Sequence, residues 1–181
     1  MEHFITGCAG YFEALAWEVT NRARQTVPDL DEYLHRRRHI GAMPPTFALD
    51  EIVEGMVLPD EVREHPDVRR LSRIAGNLVC WANDILSGPK EIKHGEVHNF
   101  VLLVRYHHRC SLQEAVDFVA AAHDETMREF VALAERSPSF PSDQARALSE
   151  YTSMLQHWIR ANLDWSLETA RYPSYKALAL S

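Results

Sequence analysis

The chain of 181 residues is 46% hydrophobic and 25% charged, so it can bury one substantial core and does not require two. Its net charge of −7 argues against a protein that binds nucleic acid, which needs clustered Lys and Arg, and leaves room only for a local basic patch. Seven glycines and nine prolines are few for a protein of short strands and tight turns, so we predict a single all-α domain over residues 1–181.

Apolar residues at helical spacing open the chain. They recur over residues 2–25 with charged residues between them, which predicts an amphipathic helix. Pro28 ends this helix, and a shorter one is expected to begin at Asp29 or Leu30. We expect that second helix to break near Gly41.

Three helices are predicted next, over residues 46–56, 67–87 and 97–108. The Gly88-Pro89 step should kink or loosen the end of the second of these, because proline cannot donate a helical hydrogen bond.

The last two helices have clear starting signals. Ser111 and Glu114 form the pattern of a capping box, which opens a helix over residues 111–136. The final helix is expected to begin at residue 142 or 143 and to end near the Tyr172-Pro173 step.

The cysteines and the apolar runs indicate where the protein works. Cys8, Cys80 and Cys110 are odd in number and widely separated, which is typical of small buried side chains in a reducing compartment. No apolar run is long enough for a membrane span, and the N-terminus lacks the pattern of a secretory signal. We therefore expect a cytoplasmic protein without a membrane span.

Three oxygen-bearing side chains recur at four-residue intervals in the long central helix. Asn83, Ser87 and Glu91 are spaced i, i+4 and i+8, and at about 100° per residue they drift by only about 80° around a helix. An amide carbonyl, a hydroxyl and a carboxylate on one face form a set of hard ligands suited to Mg²⁺. Lys90 returns to nearly the angular position of Asn83 and can reach a phosphate held by the same ion.

The same segment, residues 83–91, reads Asn-Asp-Ile-Leu-Ser-Gly-Pro-Lys-Glu. It resembles the second metal-binding motif of class I terpene synthases, in which Asn or Asp is followed by Asp, Ser and a Lys-Glu or Arg-Glu pair. Every specified position matches. The resemblance implies that Asn83, Ser87 and Glu91 bind Mg²⁺ and that Lys90 binds the substrate diphosphate.

A run of three arginines precedes the expected break at Gly41. Arg37 lies 46 positions before Asn83, which is where the resemblance places the diphosphate sensor of the family. The resemblance also gives Gly41 the catalytic effector position at the break. An arginine offers a fork of donors to phosphate oxygens, and a glycine lets the backbone open. We interpret Arg36 and Arg38 as part of a solvated face.

The end of the chain carries a third feature of the family. Residues 158–172 resemble its last segment, whose Arg-Tyr pair, here Arg171 and Tyr172, is expected to bind diphosphate when the site closes. Trp165 is implied to face the cavity, where its π surface could stabilise a carbocation, and packing in the core is an equally open role. The other tryptophans are predicted to pack in the core: Trp17, Trp81 and Trp158.

Two histidine patterns are not assigned to metal binding. The glutamate between His94 and His98 does not directly follow the first histidine, as a zinc-protease helix requires, and Gly95 weakens a helix there. His123-Asp124 lacks the further ligands that helical metal-dependent phosphohydrolases use.

The resemblance implies a partial class I terpenoid synthase bundle, with antiparallel helices around an apolar cavity. It corresponds to the C-terminal half of the family's catalytic domain, because the aspartate-rich motif that binds two further Mg²⁺ ions would lie before residue 1. Such a half-bundle exposes apolar surface, which a homodimer or a missing N-terminal half is expected to cover. A gene fragment, an internal start and a split enzyme are all open.

The leading hypothesis is a terpene cyclase, similar to sesquiterpene synthases, that ionises and cyclises a linear isoprenoid diphosphate with Mg²⁺ and releases diphosphate. Farnesyl diphosphate is the expected substrate. A non-catalytic helical remnant or interaction module is the alternative, and a helical metal-dependent phosphohydrolase is a third, less complete match. The residues assigned to catalysis are Arg37, Gly41 and Trp165.

Overall fold

The computed structural model describes residues 1–136 and 138–172. Over these residues the chain folds into eight α-helices and no strand. They are α1 (Glu2–Arg24), α2 (Leu30–Ile40), α3 (Met43–Val53), α4 (Asp60–Arg63), α5 (Pro66–Lys93), α6 (Phe100–His108), α7 (Leu112–Glu135) and α8 (Ser142–Glu168). The predicted all-α fold is confirmed. Among the helices described, none combines the length and apolar character needed to cross a membrane.

Side-chain caps set several helix starts. Asp29 accepts hydrogen bonds from the first backbone N–H groups of α2, and Ser111 and Glu114 form the predicted capping box at α7. Asn99 caps α6 in the same way, so this helix begins at Phe100 rather than at the predicted residue 97.

Helix α5 is longer than predicted. The sequence pattern placed its end near Ser87, and this is wrong, because the helix continues through Pro89 to Lys93. Proline removes one helical hydrogen bond, but the following turn is held from outside. There, the side chain of Asn99 donates to a carboxylate oxygen of Glu91 at 2.8 Å. The last helix, α8, also differs: it ends at Glu168, and Pro173 lies outside the described residues.

Helix α5 is the centre of the bundle. It packs against α7, α8, α6 and α2, while α6 also packs against α7 and α1 packs against α2 and α3. The packing prediction for three tryptophans agrees with the structure: Trp81 is buried in the core, and Trp17 and Trp158 pack against it. The largest fully buried side chains include Tyr33, Phe130, Leu71, Leu78, Leu103 and Leu155.

The break predicted near Gly41 is confirmed, and the structure explains the glycine differently. Gly41 has φ −76° and ψ 3°, which any residue adopts, and the left-handed residue of the junction is Ala42, with φ 55°. What requires a glycine is space: a Cβ at residue 41 would lie 2.5 Å from the Cys80 Sγ. The end of α2 is therefore in close contact with α5 at Cys80.

Candidate active site

A buried ion pair between α2 and α5 is the centre of the candidate site. Arg37 is 8% exposed and Asp84 is 1% exposed. The Arg37 Nη2 donates to Asp84 Oδ1 at 2.7 Å, and its Nε lies 3.0 and 3.1 Å from the two carboxylate oxygens. Burial acts to lower the pKa of the Arg37 guanidinium, but the Asp84 carboxylate outweighs it and holds that pKa above its ordinary value.

The carboxylate of Asp84 has two further donors. The Tyr33 hydroxyl donates to Oδ2 at 2.9 Å, and the backbone N–H of Phe100 donates to the same oxygen at 3.0 Å. Burial is the main cause that raises the pKa of the Tyr33 hydroxyl, so it stays protonated as a donor. With its oxygens bound to protein donors, Asp84 acts as an anchor and not as a metal ligand.

The side chain of Asn83 connects two of the predicted diphosphate-binding residues. Its Oδ1 accepts a hydrogen bond from Arg37 Nη2 at 3.1 Å, and its Nδ2 donates to the Tyr172 hydroxyl at 2.8 Å. The orientation of the amide follows from chemistry, because an arginine can only donate. A carbonyl oxygen has two lone pairs, so Oδ1 retains acceptor capacity for a cation.

The other two predicted metal ligands have little contact with solvent, since Ser87 is buried and Glu91 is half-buried. The Ser87 Oγ lies close enough to the Glu91 carboxylate to act to lower the pKa of that group, although it completes no hydrogen bond of good geometry to a described residue. Burial raises the pKa of Glu91, and the hydrogen bond from Asn99 opposes part of that effect. A cation would give the Ser87 hydroxyl oxygen a full partner and favour the charged carboxylate. The donor set at 83, 87 and 91 therefore fits a hard divalent ion such as Mg²⁺.

Three predicted residues line one cavity of about 420 Å³, namely Arg37, Lys90 and Glu91. The Lys90 side chain is half-buried, and its ammonium makes no hydrogen bond within the part of the chain that the structure describes. Arg37 also keeps a free group, because its Nη1 makes no hydrogen bond to any described residue. Two cationic donors are therefore available at this cavity.

Of the predicted site residues near the end of the chain, only Tyr172 contacts a predicted metal ligand within the described residues. Tyr172 is buried and reaches Asn83, and the Trp165 ring packs edge-on against it at 6.3 Å between centroids. Half of the Trp165 surface remains exposed. The Arg171 guanidinium lies 5.8 Å over the ring of Tyr172, so the structure does not place it against Asn83.

Three residues of this site were given no role from the sequence: Tyr33, Asp84 and Asn99, although Asp84 is a specified position of the motif at residues 83–91. Tyr33 precedes Arg37 by four positions, so both lie on one face of α2 and reach Asp84 together. That spacing was the available signal for Tyr33. Asn99 had no signal, since its contact with Glu91 depends on the turn between α5 and α6.

Two residues of the histidine pattern that was not assigned to metal, Glu96 and His98, lie in a cluster with Glu18. Ligand atoms of Glu18, Glu96 and His98 lie within 4.8 Å of one another. The Arg22 guanidinium pairs with Glu18 and lies 2.7 Å from a carboxylate oxygen of Glu96. An arginine of the chain itself thus occupies the acidic part of the cluster, and we assign no ion to it.

The all-α fold is that of the C-terminal region of a class I terpene synthase. A model of the family described as terpene synthase family 2, C-terminal metal binding, matches residues 1–129. The chain belongs to this family.

Curated relatives are similar over nearly the whole chain. It is 41% identical over 168 residues to a (+)-T-muurolol synthase from Roseiflexus castenholzii, a match that covers 92% of the chain and 52% of that protein. It is 36% identical to a germacrene A synthase from Nostoc punctiforme, over 99% of the chain and 55% of that protein. The chain spans about half the length of the curated relatives it matches.

The chain is also similar in fold to about half of several solved structures. The crystal structure of germacradien-4-ol synthase from Streptomyces citricolor matches with a TM-score of 0.77 and 26% identity, over 93% of the chain and 56% of that structure. The SVS_A2 protein, from ancestral sequence reconstruction, matches with a TM-score of 0.80 and 31% identity, over 92% of the chain and 49% of that structure.

Proposed function

We propose that the chain forms the diphosphate-binding wall of a Mg²⁺-dependent terpene cyclase and corresponds to the C-terminal half of its catalytic domain. In this proposal one Mg²⁺ is held by Asn83, Ser87 and Glu91. The substrate diphosphate is bound by Arg37, Lys90, Arg171 and Tyr172. The observation that carries the proposal is the position of Asn83, whose amide contacts both Arg37 and Tyr172.

The side chains of the wall act on the leaving group. Ionisation of an allylic diphosphate leaves negative charge on the phosphate oxygens, and fixed cationic donors stabilise that charge as it develops. Arg37 offers its free Nη1 and Lys90 offers its ammonium to the same cavity. When bound, Mg²⁺ supplies Lewis-acid stabilisation of the same oxygens. Trp165 is proposed to face the carbocation with its exposed surface, and Gly41 to carry the backbone carbonyl that acts at the end of α2.

Farnesyl diphosphate is the proposed substrate. The Roseiflexus relative is named as a synthase that cyclises farnesyl diphosphate, and several other relatives are named as sesquiterpene synthases. The exposed apolar side chains of α1 support the proposal that a second copy or an N-terminal half completes the cavity: Ile5, Phe12 and Val19. We further propose a cytoplasmic protein that does not bind nucleic acid, in keeping with its net charge of −7.

Calorimetry of the full chain tests metal and diphosphate binding. Inorganic diphosphate should bind more tightly when Mg²⁺ is present, and Asn83→Ala should remove that dependence. Asn77→Ala is the matched control, because Asn77 lies on α5 and outside the site. Unaltered binding in Asn83→Ala would favour the non-catalytic remnant.

Activity is measured separately. The chain is incubated with Mg²⁺ and farnesyl, geranyl or geranylgeranyl diphosphate, and the released diphosphate and hydrocarbon are quantified. A second series adds the N-terminal half of the Roseiflexus relative. Absence of diphosphate release in both series would exclude the cyclase proposal, whatever the calorimetry shows.

A further inference from the structure

A second cavity lies behind α2, away from the metal ligands. It has a volume of about 610 Å³, is open to solvent, and is lined by the start of α1, the α2 to α3 junction and the first half of α5. Adjacent residues on a helix point about 100° apart, so Arg37 lines the candidate active site while Arg38 lines this second cavity. Its wall holds five arginines: Arg38, Arg63, Arg69, Arg70 and Arg73.

Two of these arginines are neutralised by carboxylates of the same wall. Arg63 donates from both terminal nitrogens to the buried carboxylate of Glu51. Arg69 lies 3.5 Å from a carboxylate oxygen of Glu64 in an exposed pair. Glu51 and Glu64 are the acidic residues that line the cavity among the described residues.

The remaining arginines are not balanced within the cavity. Arg70 pairs at 2.6 Å with Glu129, which lies outside the wall. Arg38 donates only to the backbone carbonyl of His35, and Arg73 has no hydrogen bond or ion pair to a described residue. Two guanidinium groups therefore share one cavity without a carboxylate partner.

The surroundings of Arg38 show that these charges repel each other. Burial and the charge of Arg73 together lower the pKa of Arg38. A bound anion would offset the repulsion between the arginines and offer acceptors to their unused donors.

We propose that this cavity is an anion site that takes a phosphate group between Arg38 and Arg73. Guanidinium forks bind the oxygens of phosphate in pairs, and a dianion matches the two unbalanced charges. The volume lies within the range of small-ligand pockets and admits inorganic phosphate, diphosphate or a phosphate monoester. The site is separate from the proposed Mg²⁺ site, since it contains none of the three predicted ligands, and it does not depend on the proposed cyclase activity.

The test measures the binding of inorganic phosphate to the full chain, with EDTA present, by calorimetry and by ³¹P NMR. We expect one site, with affinity reduced about tenfold or more in Arg38→Gln and in Arg73→Gln, because each change removes charge-assisted hydrogen bonds. Arg128→Gln, on the exposed face of α7, is the matched control and should bind as the unaltered chain does. Arg73 is exposed, so its variant should fold even if Arg38→Gln does not.

Three further measurements separate the outcomes. Asn83→Ala should retain this metal-free binding, which distinguishes the site from the proposed active site. Competition with inorganic diphosphate and with glycerol phosphate shows whether the free anion or an ester is preferred. The proposal is overturned if phosphate does not bind, or if Arg37→Gln abolishes binding while Arg73→Gln leaves it intact. It is also overturned if the arginines hold an acidic face of a second copy, seen as a dimer that Arg73→Gln dissociates.

Discussion

The guanidinium of Arg37 is held against the carboxylate of Asp84 by three hydrogen bonds of 2.7 to 3.1 Å, in a position where both groups are almost completely buried. Two guanidinium nitrogens, Nε and Nη2, are used in this pair, and Nη2 also reaches Asn83. Nη1 is left for the cavity. Asp84 thus fixes the orientation of the arginine that we propose as the diphosphate sensor, although it contacts neither metal nor substrate in the proposal.

Replacing Asp84 by Asn tests this anchoring role. The variant keeps the shape of the side chain but leaves the buried charge of Arg37 without its counterion, so we expect a loss of about 3 to 5 kcal/mol in the free energy of unfolding. Urea denaturation of Asp84→Asn measures it.

A double-mutant cycle with Arg37→Gln supplies the control. In the double variant both charges are absent, so its loss should be clearly smaller than the sum of the two single losses. Additive losses would show that the pair is not coupled and that Asp84 stabilises the fold in another way.

The sequence was sufficient for the residues whose role depends on local spacing. The helix start at Asp29 or Leu30 and the capping box at Ser111 were predicted from residue type, and the four-residue spacing of Asn83, Ser87 and Glu91 correctly placed them on one helix, while their metal binding stays a prediction. Such features depend on contacts within one helix or at its start. They can be predicted without knowledge of which helices pack together.

The anchoring residues could not be predicted in this way. The importance of Asp84 depends on α2 lying across α5, and that of Asn99 on the path of the chain after Pro89. Arg38 was interpreted as part of a solvated face, and this is wrong, since it is half-buried at a cavity. Periodicity gives the face of a helix but not what lies opposite that face.

The close approach of α2 to α5 predicts a specific effect of Gly41→Ala. The added Cβ would lie 2.5 Å from Cys80 Sγ, so the helices must separate, and we expect a loss of about 1 to 3 kcal/mol in stability. Thermal denaturation measures the loss. Because the contact is with one sulfur atom, adding Cys80→Ala should restore most of it. No restoration would mean that the second close contact of the added Cβ, 3.2 Å from Arg37 Nη1, limits the space and not the sulfur atom.

Tyr151 predicts a loss of stability in alkali. Burial raises the pKa of this tyrosine to about 12 from an ordinary value of 10.0. Above pH 10 the unfolded chain releases the proton while the folded chain retains it, so stability is unaffected below pH 10 and falls as the pH rises toward 12. A shift of two pKa units corresponds to about 2 to 3 kcal/mol.

Urea midpoints measured between pH 8 and 12 test this dependence. Tyr151→Phe lacks the titrating group, so its stability should fall less steeply over that range, after allowance for the lost hydrogen bond to Ser72. Tyr106→Phe, at an exposed position, is the control and should follow the unaltered chain. Parallel curves for Tyr151→Phe and the unaltered chain would contradict the prediction.

Tyr172 connects the end of the chain to the proposed metal site, and Tyr172→Phe removes that connection. The change deletes the oxygen that accepts from Asn83 Nδ2 and leaves a half-buried amide donor unpaired. The amide can then rotate, which turns its oxygen away from Arg37 and from a bound ion. We therefore expect Mg²⁺-dependent diphosphate affinity to fall about tenfold, the usual effect of a lost buried hydrogen bond to a polar partner.

Calorimetry measures this, and metal-free phosphate binding at Arg38 and Arg73 serves as the internal control because that cavity lies behind α2. Equal Mg²⁺-dependent affinity in Tyr172→Phe and the unaltered chain would mean that Asn83 is oriented by Arg37 alone and that the Tyr172 hydroxyl does not bind diphosphate.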